Sequence, residues 1–518
     1  MNTIDSNVQI NKTGKSITQR LLDIVEKIGN RLPHPVTIFV IFSALVVILS
    51  EVAARYGVAV TFTAVDKTTK DVLAVSLLSA DGIRYIFSSA VTNFTGFAPL
   101  GTVLVAMLGV GAAESTGLIR ATLRQLVLST PGHLITATVV FAGIMSNIAS
   151  DAGYVVLVPL GALVFLSVGR HPLAGLAAAF AGVSGGFSAN LLVGTLDPLL
   201  GGISTEAARF INPAYVVEPT ANWYFMIAST FLITLIGTWV TEAIVEPRLG
   251  KYHGEHEEQI EQLEKHETRG LVAAAITALV FVLFVALLIV PEGGVLRNPQ
   301  TAEILGSSPF MAGLVPLIAL FFFFPGLAYG IAAGTIKNDK DIARAVGKSM
   351  NTMGDYLLLA FVAGQFVAYF AKTNLGTIIA VTGADFLKAT GMTGIPLIVA
   401  FVLVSGFINL FIGSASAKWA IMAPVFVPMF MVLGYSPELT QLSYRIGDSV
   451  TNIISPLMAY FAVIVAFAQK YEKDIGLGTL ISVMIPYSFS FMIGWTLMLI
   501  AWLYAGLPLG PGVHALLP

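Results

Sequence analysis

Two stretches decide the fold: residues 150–172, SDAGYVVLVPLGALVFLSVGRHP, and residues 415–437, ASAKWAIMAPVFVPMFMVLGYSP. At a constant offset of 265 residues (417 − 152 = 265), these stretches and the residues after them align Ala152, Pro159, Phe165, Gly169, Pro172, Gly182 and Ser184 with Ala417, Pro424, Phe430, Gly434, Pro437, Gly447 and Ser449. Tyr154 falls opposite Trp419 in the same register. Each stretch is apolar, has a proline near its middle and ends at Gly-x-x-Pro. One ungapped register points to an internal repeat rather than to biased composition. A helix interrupted at membrane depth leaves backbone groups without partners, which is tolerated only against protein or a water-filled cavity. Paired proline-broken half-helices at matching places in two halves therefore predict a binding site where they meet.

Working outward, 56% of the 518 residues are hydrophobic, 11% are charged and the mean hydropathy is +0.83, so most of the chain meets lipid. A bilayer core of about 30 Å needs roughly 20 apolar residues per helical span. Such runs are predicted at 36–54, 98–119, 131–147, 173–196, 222–246, 270–290, 310–335, 355–371, 394–412, 439–470 with a break inside it, and 481–507. The fold expected is an all-α polytopic membrane protein in two halves. A polar arm (1–35) precedes a first half (36–246) with a hairpin at 148–170. A charged linker (247–269) leads to a second half (270–518) with a hairpin at 413–436. Lys and Arg gather in the arm, in Lys251 to Arg269 and in Lys337 to Lys348, which the positive-inside rule assigns to the cytoplasm. Residues 54–81 and 291–309 then fall outside. The arm lacks the apolar core and cleavage pattern of a secretory signal, so the first span reads as a retained anchor.

Several function classes drop out. A formal net charge of -2 without a long basic tract excludes nucleic acid as a partner. Zero cysteines remove disulfides, thiolate metal sites and thiol catalysis, and no His-Glu-x-x-His helix suggests a metalloenzyme. Gly182-Val-Ser-Gly-Gly186 fits a nucleophile elbow and the pattern of an intramembrane serine protease at Ser184. All seven histidines fall in arms, loops or segment ends, however, leaving Ser184 without a base. Gly347-Lys348-Ser349 resembles a phosphate loop, but Ile342 stands where its leading glycine belongs. The chain is expected not to be an enzyme and to hold no cofactor other than Na⁺.

Ionisable groups within membrane segments cost about 2.5–3.5 kcal/mol on insertion scales, so each one is a functional candidate. They are few: Asp151, Asp197, Lys418, Arg445 and Asp448. Arg445 and Asp448 are three apart, which on a helix places them on one face and close enough to pair. That pair reads either as an ion site or as a structural lock, Asp197 as a coupling acid or a cap, and Lys418 and Asp151 as functional or as snorkelling and capping groups. Ser146, Asn147, Ser150, Asn190, Asn409, Ser414, Ser416, Thr451 and Asn452 cluster around the same points. Such oxygen-rich groups suit Na⁺ or a solute carboxylate, with Asn147, Asp197, Asn409, Asp448 and Asn452 as cation-binding candidates. Trp419 is placed to stack on an aromatic ring.

Leu32-Pro-His-Pro35, the run NFTGFAPLG at 93–101, VGRHPLAGL at 168–176, IGSASAKW at 412–419 and YRIGDS at 444–449 resemble the p-aminobenzoyl-glutamate transporter (AbgT) family. The similarity runs from about residue 20 to LPLGPG at 507–512 and is weakest in the linker and near residue 65. The resemblance implies a homodimer of nine-span protomers in a bacterial inner membrane. Each would carry two re-entrant hairpins in an inverted repeat, with a scaffold and a mobile transport core. It carries functional roles onto Asp197, Asn409, Ser416, Trp419, Pro437, Arg445, Asp448 and Pro456. It implies ion-coupled transport of p-aminobenzoyl-glutamate or related antimetabolites, p-aminobenzoate and sulfonamides. Asp448-Ser449 followed by Val450-Thr451-Asn452 leans toward export by H⁺ antiport, with Na⁺- or H⁺-coupled uptake as the alternative.

Overall fold

The computed structural model describes residues 33–63, 69–149, 152–252, 263–304, 308–351, 353–458 and 460–517. Ser150, Asp151, the arm to residue 32 and residues 253–262 of the linker lie outside the described residues. Along the chain run α1 (Pro35–Arg55), α2 (Ala98–Thr116), α3 (Leu118–Leu128), α4 (Ile135–Ser146), α5 (Ala152–Ser167) and α6 (Pro172–Phe180). A π-turn, Ala181–Gly185, extends α6 and is followed by α7 (Leu196–Ala208) and α8 (Trp223–Val240), which runs on to Leu249. The second half holds α9 (Lys265–Ile289), α10 (Leu314–Ala333), α11 (Gly354–Lys372), α12 (Leu375–Ala389), α13 (Gly394–Asn409), α14 (Ala415–Val432), α15 (Pro437–Asn452), α16 (Phe461–Gln469) and α17 (Leu477–Tyr504). Strands β1 (Ala59–Thr63) and β2 (Thr69–Leu73) pair antiparallel, Ala59 opposite Leu73. Among the described residues eight helices are long and apolar enough to span a membrane. They become nine if the bent pair formed by α3 and Gly132–Ser146 counts as one span.

The repeat is built hydrogen bond for hydrogen bond. Gly169 and Gly434 end the outbound arms with φ of 74° and 89°, the left-handed region that glycine enters without strain. Arg170 N donates to Phe165 O at 2.8 Å and Gly169 N to Leu166 O at 3.0 Å; 265 residues on, Tyr435 N donates to Phe430 O at 3.0 Å and Gly434 N to Met431 O at 2.9 Å. These are two Schellman caps, each with its flanking contact: Arg170 lies over the Phe165 ring and Tyr435 packs on Phe430. Pro172 and Pro437 then open the return arms at the position where a missing N–H is harmless. Gly182 and Gly447 let those arms press on the helix before the hairpin. A Cβ on Gly182 would lie 2.3 Å from Val140 O, and one on Gly447 2.2 Å from Val402 O.

Two expectations need correction. The prolines do not break the outbound arms: Pro159 lies inside continuous α5, and Pro424 and Pro428 inside continuous α14. Neighbouring helices and local adjustment re-satisfy the freed carbonyls in such helices, so the chain reverses at the Gly-x-x-Pro turn instead. The hairpins are accordingly longer than 148–170 and 413–436, with two arms each: α5 with α6 and its π-turn, and α14 with α15. The runs 173–196 and 439–470, read as spans, contain the return arms.

Helix α8 fixes the relative orientation of the hairpins. At its start Asn222 Nδ2 donates to Glu438 O at 2.9 Å, next to the second hairpin's tip. At its far end Glu246 meets Arg170 of the first tip at 2.5 Å. The two anchors are 24 residues apart, or about 36 Å of helix at 1.5 Å per residue. The tips therefore point to opposite ends of the molecule, which is the inverted arrangement. Their open ends meet between them, where Ser188 N donates to Ser449 Oγ at 3.1 Å and Asn452 Nδ2 to Ser184 O at 3.5 Å. One apolar core joins α4–α6, α8, α15, α16 and α17, and a second joins α1, α7, α11, α12 and α14.

Candidate functional site

Helix α15, PELTQLSYRIGDSVTN, is polar enough to belong on a surface, yet all sixteen of its residues are buried. Such a helix holds its place only if its polar groups find partners inside, and those partners define the site. Asp448 meets Lys418 of α14, Oδ1 to Nζ at 2.5 Å, with both side chains closed to solvent. Arg445 meets Asp197 in the first turn of α7, Nη2 to Oδ1 at 2.7 Å. Asp197 Oδ2 accepts from Gly194 N at 2.6 Å, fixing the carboxylate against the link between α6 and α7.

The expected Arg445–Asp448 pairing is therefore corrected. The spacing puts both on one side of α15, but α14 and the start of α7 pack against that side and each presents an opposite charge. Buried charges take the partner that leaves least charge uncompensated, so two separate pairs form. Arg445 thus holds Asp197 rather than Asp448. Lys418 is 0% exposed, which removes the snorkelling reading, and belongs to the site although it was left undecided from sequence.

Around the Lys418–Asp448 pair, Asn409 Oδ1 accepts from Lys418 Nζ, while Asn409 Nδ2 donates to Asp448 O at 2.7 Å, Thr451 Oγ1 at 2.8 Å and Asn452 Oδ1 at 2.8 Å. Ser416 is half-buried in the first turn of α14, its Oγ 3.4 Å from Ser414 Oγ. Trp419 stacks on Tyr444 with ring centroids 4.5 Å apart, and Tyr444 OH donates to Ala415 O at 2.6 Å. The indole is 0% exposed, so in this conformation its face is covered by Tyr444 rather than offered to a solute.

The first half contributes amides. Asn147 Nδ2 and Asn190 Nδ2 both donate to Ile144 O at 3.2 Å. Ser455 Oγ does the same to Asn409 O at 3.2 Å, 265 residues further on, so the repeat extends into the links after both hairpins. Asn147 Oδ1, Ser188 Oγ and Arg445 Nε are buried without a hydrogen-bond partner. Buried polar atoms are rarely left so, and these three line the crossing of the two halves. Pro437 stands apart at the hairpin tip, about 17 Å of helix from Asp448, and Pro456 is half-buried in the link between α15 and α16.

Sequence reasoning missed a polar chain running from the second tip to Trp419. Tyr215 OH donates to Glu438 Oε2 at 3.0 Å, Asn222 Nδ2 to Glu438 O at 2.9 Å and Gln441 Nε2 to Asn222 Oδ1 at 2.9 Å. Ser204 Oγ donates to Gln441 Oε1 at 2.6 Å and accepts from Trp419 Nε1 at 3.0 Å. Its members are ordinary polar residues; their signal was the polarity of a whole helix within a hydrophobic half. Ser184 carries no hydrolase geometry: its Oγ donates to Met458 Sδ at 3.2 Å, and among the described residues no histidine hydrogen-bonds to it.

The chain matches the AbgT putative transporter family over residues 20–517. It is 41% identical over 498 residues to the p-aminobenzoyl-glutamate transport protein of Escherichia coli (strain K12), covering 96% of this chain and 97% of that one. The fold superposes on the YdaH transporter of Alcanivorax borkumensis with a TM-score of 0.88 and 46% identity, covering 92% of this chain and all of that one. It superposes on MtrF of Neisseria gonorrhoeae, described as illuminating a class of antimetabolite efflux pumps, with a TM-score of 0.90 and 51% identity, covering 95% of this chain and all of that one. With its membrane-spanning helices and two inverted hairpins, the chain is a multi-pass membrane protein and belongs to the AbgT transporter family.

Proposed function

We propose that the chain is an ion-coupled secondary transporter of p-aminobenzoyl-glutamate or related aromatic antimetabolites, p-aminobenzoate and sulfonamides among them, exporting them across a bacterial inner membrane by H⁺ antiport. The observation that carries this reading is the wholly buried polar helix α15, which holds two ion pairs where the open ends of the hairpins meet. A carrier needs titratable groups in mid-membrane that trade a partner for an ion, and ionisable residues at that depth are functional candidates by default. Asp448 takes the coupling ion, with Asp197 as a second acid held by Arg445. The unpartnered Arg445 Nε and Asn147 Oδ1 offer a donor and an acceptor to the polar end of a solute. Trp419 meets the aromatic ring once Tyr444 moves aside. The protein works as a homodimer whose hairpin core moves against a scaffold. The alternative is Na⁺- or H⁺-coupled uptake: the oxygens of Asn409, Thr451 and Asn452 suit Na⁺ if the Lys418 ammonium and the Asn409 amide, from which they now accept, move away.

The test is flux of radiolabelled p-aminobenzoyl-glutamate and of a sulfonamide in proteoliposomes with imposed H⁺ or Na⁺ gradients in each orientation. The proposal expects a pH gradient to drive solute against its own gradient. Flux undiminished after an ionophore collapses both gradients would identify a channel and reject it.

A further inference from the structure

The second repeat contains a seat of oxygens that the first repeat lacks. Asp448 Oδ1 at 2.5 Å, Asn409 Oδ1 and Ile412 O at 3.4 Å surround Lys418 Nζ. The carbonyl comes from the unwound link after α13, and a helix C-terminus favours positive charge. A carboxylate, an amide oxygen and an unwound backbone carbonyl are the groups with which broken membrane helices hold Na⁺. Here the ammonium of a fully buried lysine sits among them. The repeat partner of Lys418 is Gly153 (418 − 265 = 153), where even a Cβ would lie 2.0 Å from Ser146 Oγ. Glycine brings no side chain to this position, so the tethered charge belongs to the second repeat alone.

The groups facing Lys418 are few. From α15 they are Asp448 and the Tyr444 ring, 5.7 Å from Nζ; from α13 and its link they are the neutral Asn409 and Ile412 O. From α7, Asp197 is taken by Arg445, and Ser204 by Trp419 and Gln441.

We propose that the Lys418 ammonium is a built-in cation that occupies the monovalent-cation seat of the second repeat, bars Na⁺ from Asp448 and leaves the proton as the ion Asp448 exchanges. This rests on the coupled-transport reading above and supplies a structural reason for its ion. The pair is neutral as carboxylate and ammonium. One proton taken from water on one side converts Asp448 to the acid and leaves a net charge of +1 on the pair; its release on the other side restores neutrality, and no bond other than O–H forms or breaks. Without the ammonium, Asp448 is a bare buried carboxylate, which is strongly destabilising unless a proton or small cation replaces the lost partner.

The test compares native protein with Lys418→Met by thermal melting in detergent, exchanging choline for Na⁺ at constant ionic strength and at a pH of about 8.5. The native protein is expected to melt at the same temperature in both salts. Lys418→Met is expected to gain roughly 2 °C or more in saturating Na⁺, by binding linkage, and to lose that gain when Asp448→Asn is added. A folded Lys418→Met with no response to Na⁺ overturns the proposal, as does a native protein that Na⁺ stabilises through Asp448. If Lys418→Met does not fold in choline, purification throughout in Na⁺ decides: recovery of folded protein supports the seat, and failure there together with solute flux in native proteoliposomes driven by a Na⁺ gradient overturns it. Melting requires no transport, so absence of coupled flux of these solutes rejects the functional reading, while the melting result still decides whether Lys418 fills a cation seat.

Discussion

Arg445 and Asp197 stand 2.7 Å apart although 248 residues separate them (445 − 197 = 248), and their pair ties the return arm of the second hairpin to the helix that follows the first. Both side chains are about 3% exposed. The contact therefore couples the two inverted units where they cross.

Removing either partner strands the other charge. Asp197→Ala and Arg445→Ala are each expected to destabilise by about 3–5 kcal/mol, with strongly non-additive effects in the double variant. Melting of the three variants in detergent checks this; additive losses would mean that the pair is not coupled.

The repeat glycines differ in kind. Gly447→Ala and Gly182→Ala drive a Cβ into a backbone oxygen and are expected to destabilise by about 1–3 kcal/mol, outweighing the helix preference for alanine. Gly169→Ala meets open space and carries only the left-handed backbone strain, about 1–2 kcal/mol. Comparing folded yield and melting of the three separates packing from turn conformation.

Tyr215, in the segment between α7 and α8, donates to Glu438 at the second tip. Burial first, and then Glu438, push its phenol above the ordinary value of 10.0. A raised folded-state value means that the stabilisation is fully present below about pH 10 and is lost only as pH rises beyond it. Tyr215→Phe is expected to cost about 1 kcal/mol, read as a lower melting temperature in detergent at a pH of about 8. An unchanged melting temperature would show that the hydrogen bond to Glu438 adds nothing net to stability.

Trp419 and Ser204 form one link of the polar chain. Trp419→Phe and Ser204→Ala should each slow flux, and the double variant should be no slower than the worse single one. Multiplying losses would indicate that the indole acts through its ring alone.

The repeat was legible because its register is set by backbone requirements: a left-handed glycine, a proline able to start a helix, and a glycine against the neighbouring helix carry the same identity in both halves. The prolines misled because proline weakens a helix without ending it when neighbours cover the gap. The Arg445–Asp448 expectation failed for a different reason. Spacing along one helix states which residues share a side, whereas the choice of partner belongs to α14 and α7, which approach from more than twenty residues away in sequence. Lys418 was visible as a charge in a membrane segment, but its burial depends on α13 and α15. Gln441 and Ser204 gave no individual signal, since serine and glutamine are common between membrane helices, and Glu438 lies just before the run 439–470 read as a span.

The central claim is that solute binds where the open ends of the hairpins meet. The chain has no cysteine, so Ser416→Cys, at the start of α14, and Thr390→Cys, on the exposed end of α12, can each be labelled with a maleimide without background. Saturating p-aminobenzoyl-glutamate is expected to slow labelling at 416 and leave 390 unchanged. Equal rates at 416 with and without solute, in a preparation that transports it, would contradict the account.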